Sequence, residues 1–279
     1  MSDLEGAVTQ TEGYDNLTVA SSGAVATVTL NRPAVHNALN DALIGEIERC
    51  FRVLATNPGV RVVILTGAGR SFCAGADVNW MRAAAGYSDE ENRADALNLV
   101  RMLEAVDSCP KPVVARVNGA ALGGGAGLVA ACDLAIASET ARFAFSEVRL
   151  GIVPATISPF VIRRIGPGAA RAHFLLGEQF DAAEARRIGL VFLAAPPDEL
   201  DSEVDRIVQP LLAGGPAAQA AIKDLLRALT SGAVSPSGVA EYTAGVIAER
   251  RASSEGQEGL RAFLERRPPA WILKREGQP

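Results

Sequence analysis

The run RVVILTG (Arg61–Gly67) offers no polar face to water. An unbroken apolar stretch of that length marks a strand covered on both sides, so helices must flank the sheet it joins. Its neighbours agree. LTVASS (Leu17–Ser22) and AVATVTLN (Ala24–Asn31) alternate like strands around a turn at Ser22–Gly23. NALNDALIGEIERCFRVLATNP then changes to helical spacing, with Leu39, Leu43, Ile47 and Leu54 on one face, and Asn57-Pro58-Gly59 closes it. The cycle recurs with a helix over about Ser88–Ala105, a strand in KPVVARVNG, a glycine-opened helix, and short strands in DLAIAS and ARFAFSEV. This repeated ββα rhythm predicts an α/β fold. Beyond about Pro159 the pattern reads as purely helical. Three segments follow: a polar leader (1–16), a ββα core (17–205) and a helical region (206–279). With no sheet of its own, the last must pack on the core or on another subunit.

Composition narrows the partners. The 279 residues suffice for a large core, and a formal net charge of −5 favours neither nucleic acid nor an anionic membrane. A small anionic ligand stays open. The apolar stretch Ala120–Ala137 is broken by glycines and Asp133, so it reads as a buried strand–helix–strand unit, and no bilayer span is expected. Asp133 reads as a structural residue opening the DLAIAS strand. The N-terminal residues lack the basic start and apolar run of a signal peptide. Cys50, Cys73, Cys109 and Cys132 form no CxxC pair and read as buried thiols of a cytoplasmic protein.

Several chemistries are excluded. The only histidines, His36 and His173, have no metal-ligand partner at helical spacing, and GxSxG, GxxxxGK[ST] and GxGxxG are all absent. Backbone dipoles and carboxylates remain. Two glycine-containing strand-to-helix junctions stand out, GAGRSFCAGADVNWM (Gly67–Met81) and NGAALGGGAG (Asn118–Gly127). Free N–H groups at such helix starts can bind an anion. Two junctions together can form an oxyanion hole, or else serve only as tight packing turns.

At these residues the chain resembles the crotonase (enoyl-CoA hydratase/isomerase) superfamily. The resemblance is carried by NRPAVHNALN, FCAGADV, KPVVARVNGAALGGGAGLVAACDLAIAS, ARFAFSEVRLGIVP and FLERRPPAW, in order from Leu17 to Trp271. It implies a ββα spiral core with a helical C-terminal oligomerisation region, and a homotrimer or dimer of trimers. It also implies an acyl-CoA thioester substrate, with coenzyme A as part of that substrate and neither a separate cofactor nor a metal. Matching motifs put the two oxyanion-hole N–H groups on Ala76 and Gly124. CoA or substrate contacts fall on Arg32, Ala34, His36, Ala38, Ala74, Asp77, Val78 and Gly123. His36 either faces a phosphate or is an exposed histidine without a role.

Hydratases of the superfamily commonly use two glutamates, one in a GGGxE pattern and one before xxLG. Here Gly127 stands at the first position and Glu147 at the second. Desolvation among apolar neighbours would raise the Glu147 pKa toward a useful range. The glycine-rich PGxGG loop is replaced by VPATISPFVIRRIG, as in a bacterial subgroup resembling methylglutaconyl-CoA and carboxygeranoyl-CoA hydratases. Arg149 either meets a substrate carboxylate or makes a surface ion pair. Trp80, Met81, Phe143 and Phe160 are expected to line the acyl pocket. The expected activity is enoyl-CoA hydration with one glutamate; a double-bond isomerase and a catalytically silent acyl-CoA binder are the alternatives.

Overall fold

The computed structural model describes residues 13–272. The expected leader therefore lies outside the described residues up to position 12. The chain divides into two compact units, Met1–Arg206 and Ile207–Pro279.

Unit one is built by a winding chain that lays strands alternately into two sheets. β1 (Leu17–Ser22) and β2 (Val25–Leu30) form an antiparallel hairpin, and α1 (Asp41–Thr56) crosses to β3 (Val62–Gly67). β4 (Ser71–Cys73), α2 (Val78–Ala84) and α3 (Asp89–Asp107) follow, then β5 (Val113–Val117), β6 (Ala120–Leu122) and α4 (Gly124–Ala131). The last turns are β7 (Leu134–Ser138), β8 (Arg142–Ala144), α5 (Ser158–Leu176), β9 (Phe180–Asp181), α6 (Ala182–Arg187) and β10 (Leu193–Ala195). The larger sheet has the order β1-β2-β3-β5-β7-β10 and the smaller β4-β6-β8-β9. Each of the three ββα turns thus gives one strand to each sheet. β3 is buried at all six positions, as its unbroken apolar run requires.

Local sequence chemistry sets the helix starts. Asn40 caps α1 by accepting from the Leu43 N–H at 3.0 Å, and Ser88 and Glu91 form a reciprocal capping box on α3. Asp133 accepts from the Val113 N–H at 2.7 Å and so ties the head of β7 to β5. The four cysteines are buried and none is in a disulfide.

Three expectations need correction. Leu39 precedes α1 instead of lying on its face, because Asn40 is the cap. The two glycine junctions each hold a three-residue strand, β4 and β6, too short for an alternating pattern. The chain after Pro159 is not purely helical, since β9 pairs with β8 and β10 with β7. Strands of two or three residues exist only because an edge is there to receive them, which no local pattern encodes.

Unit two holds α8 (Pro216–Thr230), α9 (Val239–Ala252) and α10 (Ser254–Leu264); α7 (Leu200–Ala213) spans the division. Glu255 accepts from the N–H groups of Ala217 and Ala218 at 2.9 and 2.8 Å, satisfying donors at the start of α8. No helix among the described residues is long and apolar enough to cross a membrane.

Candidate active site

The two glycine junctions meet. Gly75 has φ +88, and a Cβ there would stand 2.8 Å from the Leu122 carbonyl oxygen. Only glycine accepts both that backbone and that approach. The loop carrying Ala76 therefore lies against the turn into α4.

Ala76 pairs with Leu39 in an isolated parallel bridge. Leu39 donates to the Gly75 carbonyl at 2.7 Å and accepts from the Asp77 N–H at 2.8 Å. In that pattern the bridge is made by the residues on either side of Ala76, so the Ala76 N–H is left pointing away from Leu39. Ala76 is also exposed. Gly124 is the first residue of α4, where an N–H has no partner within the helix. Among the described residues, no acceptor is recorded for either N–H.

Glu147 completes the group. It opens the 3₁₀ turn Glu147–Leu150, and its main-chain oxygen accepts from the N–H groups of Gly151 and Ile152. Its carboxylate lies over Gly123, the φ +50 residue before α4, where a Cβ would be 3.2 Å from Glu147 Oε1. The other oxygen, Oε2, is buried without a hydrogen-bond partner. Burial raises the carboxyl pKa above its ordinary value, opposed only by the residue's own backbone N–H. Two free N–H donors and one desolvated carboxylate thus converge at the start of α4. A cavity of about 310 Å³ is lined by Leu122, Ala144, Ser146, Arg149, Gly177 and Gln179.

Apart from Gly123, the expected CoA contacts lie in two adjoining loops, 32–38 and 74–78. The Arg32 side chain pairs with Asp77 at 2.9 Å and donates to the Ala38 carbonyl, and its backbone N–H donates to Asn37 Oδ1 at 2.9 Å. Asp77 also caps α2 by accepting from the Asn79 N–H at 2.8 Å. That hydrogen bond, followed by Arg32, outweighs burial and holds the Asp77 carboxyl below its usual range. Both charges are therefore engaged by the chain itself. His36 is half-buried, with Nδ1 3.0 Å from Ser71 Oγ, and its carbonyl accepts from Ala74. Ala34 and Val78 are exposed, Ala74 is partly exposed and Ala38 is buried.

Sequence reasoning missed Asn37. It is fully buried in the left-handed region (φ 57), and its amide donates to the carbonyls of Ala68 and Ser71 at 3.0 and 2.8 Å. It fastens the 32–39 turn to β4. An asparagine is the residue type that tolerates that backbone, which was the available signal.

One side-chain expectation changes, and one of the two readings of Arg149 holds. Phe143 is fully buried and stacked on Phe180 at 5.8 Å, and Phe160 is also core, so only Trp80 and Met81 of the expected acyl lining reach the surface. Arg149 donates to the carbonyls of Gly177 and Leu176 at the end of α5 and lies 3.8 Å from Glu178. It caps a helix and makes the surface ion pair that was one of its two expected fates.

Residues 20–274 match the family described as enoyl-CoA hydratase/isomerase. A putative enoyl-CoA hydratase of Thermus thermophilus is 37% identical over 88% of this chain and 97% of its own length. A crotonyl-CoA hydratase of Syntrophomonas wolfei is 35% identical over 94% of this chain and 99% of its own. The crystal structure of an enoyl-CoA hydratase from Shewanella pealeana superposes with a TM-score of 0.88 at 40% identity, covering 92% of this chain and 96% of that one. The chain belongs to the enoyl-CoA hydratase/isomerase family.

Proposed function

We propose that the protein is an enoyl-CoA hydratase, adding water to a 2-enoyl-CoA thioester or removing it, with Glu147 as its single catalytic carboxylate. The observation that carries this reading is the desolvated carboxylate of Glu147, its Oε2 without a hydrogen-bond partner, beside the free N–H groups of Ala76 and Gly124. The thioester oxygen accepts from both N–H groups. As the water oxygen bonds to the β carbon, Glu147 takes a water proton, the C=C pair moves to the carbonyl oxygen, and an enolate forms. Glu147 then returns the proton to the α carbon, and the enolate pair closes the new C–H bond. Each donor of an oxyanion hole contributes about 10²–10³ in rate, and a positioned acid–base group about 10²–10⁴. Coenzyme A is part of the substrate, and the proposed step uses no further cofactor or metal.

The test supplies crotonyl-CoA and a 3-enoyl-CoA separately. Loss of conjugated thioester absorbance from the first is the expected result. Appearance of that absorbance from the second, with no loss from the first, overturns hydration in favour of the isomerase. Gly127, which leaves one carboxylate at the site, is what keeps that second reading alive. Binding without turnover of any thioester would leave the silent binder.

Within this reaction we propose a branched or carboxylated acyl chain, of the methylglutaconyl-CoA or carboxygeranoyl-CoA kind. The support is the resemblance of SEVRLGIVPATISPFV together with Gly127. Arg149 is not the receptor for such a carboxylate, being engaged at the end of α5. A turnover screen of straight, branched and carboxylated enoyl thioesters decides it. We also propose a homotrimer or dimer of trimers in the cytoplasm. Exposed Ile222, Leu226, Leu260, Phe263 and Leu264 in unit two support association, and the buried thiols support a reducing compartment. Sedimentation velocity measures the first directly.

A further inference from the structure

Gly127 sits one helical turn beyond Gly123 in α4, donating to its carbonyl at 3.0 Å. A Cβ at Gly127 would lie 2.3 Å from Ile157 Cγ2 and 2.8 Å from Ile157 Cβ. Ile157 cannot move aside. It is 1% exposed, it is β-branched and stiff at χ1, and its Cβ is fixed by the backbone that starts α5. Its carbonyl already accepts from the N–H groups of Phe160 and Val161 at 3.1 and 3.0 Å.

Positions 123 and 127 are i and i+4, so they lie on one face of α4. The segment 147–157 touches that face at both ends, with the Glu147 carboxylate on Gly123 and the Ile157 side chain on Gly127. Two contacts a turn apart fix both the distance and the tilt of a helix end.

We infer that Ile157 is a positioning residue for the reaction: seated on the Cα of Gly127, it sets the N-terminus of α4, with the Gly124 N–H, against Glu147. The same contact closes position 127 to every side chain, so proton transfer stays with one carboxylate. The inference rests on the proposed roles of Gly124 and Glu147 as oxygen donor and proton carrier.

The test pairs steady-state hydration with a readout that needs no turnover. An aromatic enoyl-CoA absorbs at longer wavelength when hydrogen-bond donors polarise its thioester carbonyl, and the size of that shift reports the donors' placement. Gly127→Ala is expected to lower kcat by about 10-fold or more with a smaller change in KM, since a misplacement of about 1 Å can cost 10²-fold. It is also expected to reduce the absorbance shift. Ile157→Ala is expected to do the same by removing the seat. Ile157→Val, which keeps Cβ and both γ carbons, should stay within about twofold of wild type, the small change expected when the contact is preserved. The Gly127→Ala/Ile157→Ala protein should recover part of the shift lost in Gly127→Ala. Wild-type kcat, KM and absorbance shift in folded Gly127→Ala, or in Ile157→Ala should the first not fold, overturn the inference. If wild type shifts the probe but hydrates nothing, the hydratase reading fails while the variants still test the positioning. If wild type does not shift the probe, the donor reading falls and the inference with it.

Discussion

Glu147 and Gly123 are in contact across the start of α4, with a Cβ on the glycine only 3.2 Å from Glu147 Oε1. A side chain at position 123 would crowd that carboxylate and would be strained by the φ of +50. The contact joins the acid to the donors.

Glu147→Gln keeps the shape of the side chain and removes its proton traffic. Turnover of a 2-enoyl-CoA should fall by about 10²–10⁴, while acyl-CoA binding measured by calorimetry is retained. A variant turning over within tenfold of wild type would place the acid–base work elsewhere.

The pH dependence has a definite sign. Glu147 is raised above the ordinary carboxylate value by burial and must be ionised to accept a water proton. The acidic limb of kcat/KM is therefore expected above the range of a solvated glutamate, with activity lost as pH falls through the raised value. A raised carboxyl pKa means that the folded protein holds a proton the unfolded chain would release. This group's contribution to stability thus declines as pH rises from the unfolded value through the folded one. Glu147→Gln should accordingly melt higher than wild type at neutral pH, and the difference should shrink as pH is lowered through that window.

Gly124→Pro removes one candidate donor while respecting the helix. Proline suits the first helical position, where its missing N–H has no intrahelical partner. Gly123, at φ 50 and ψ −118, mirrors the extended backbone that a residue before proline adopts. The added Cβ meets only the tip of Leu39, a side-chain end able to shift. Loss of kcat/KM by about 10²–10³ with an unchanged circular dichroism spectrum is expected.

Asp77→Ala removes the cap of α2 and leaves Arg32, 17% exposed, without its partner. The cost to unfolding free energy should be about 2–4 kcal/mol by urea titration. Because the Asp77 carboxyl sits below its usual range, its contribution is present above the unfolded pKa and is lost as pH falls through the lowered one. Wild type and variant should converge in acid.

The sequence by itself determined the α/β class and the positions of the long elements. The apolar run at β3 admits no exposed face, and the caps at Asn40 and Ser88 and the turn at Asn57 are chemistry of neighbouring residues. It also marked Ala76, Gly124 and Glu147, because their motifs carry the family resemblance. Tertiary structure decided how they meet. β4, β6, β9 and β10 exist only where a sheet edge receives them, and Leu39 leaves its apparent helix face to form the bridge beside Ala76. It also put Phe143 in the core, spent Arg149 on the end of α5, and seated Ile157 on Gly127. Local propensity acts over a few residues, whereas a contact between positions thirty apart is set by how the layers close.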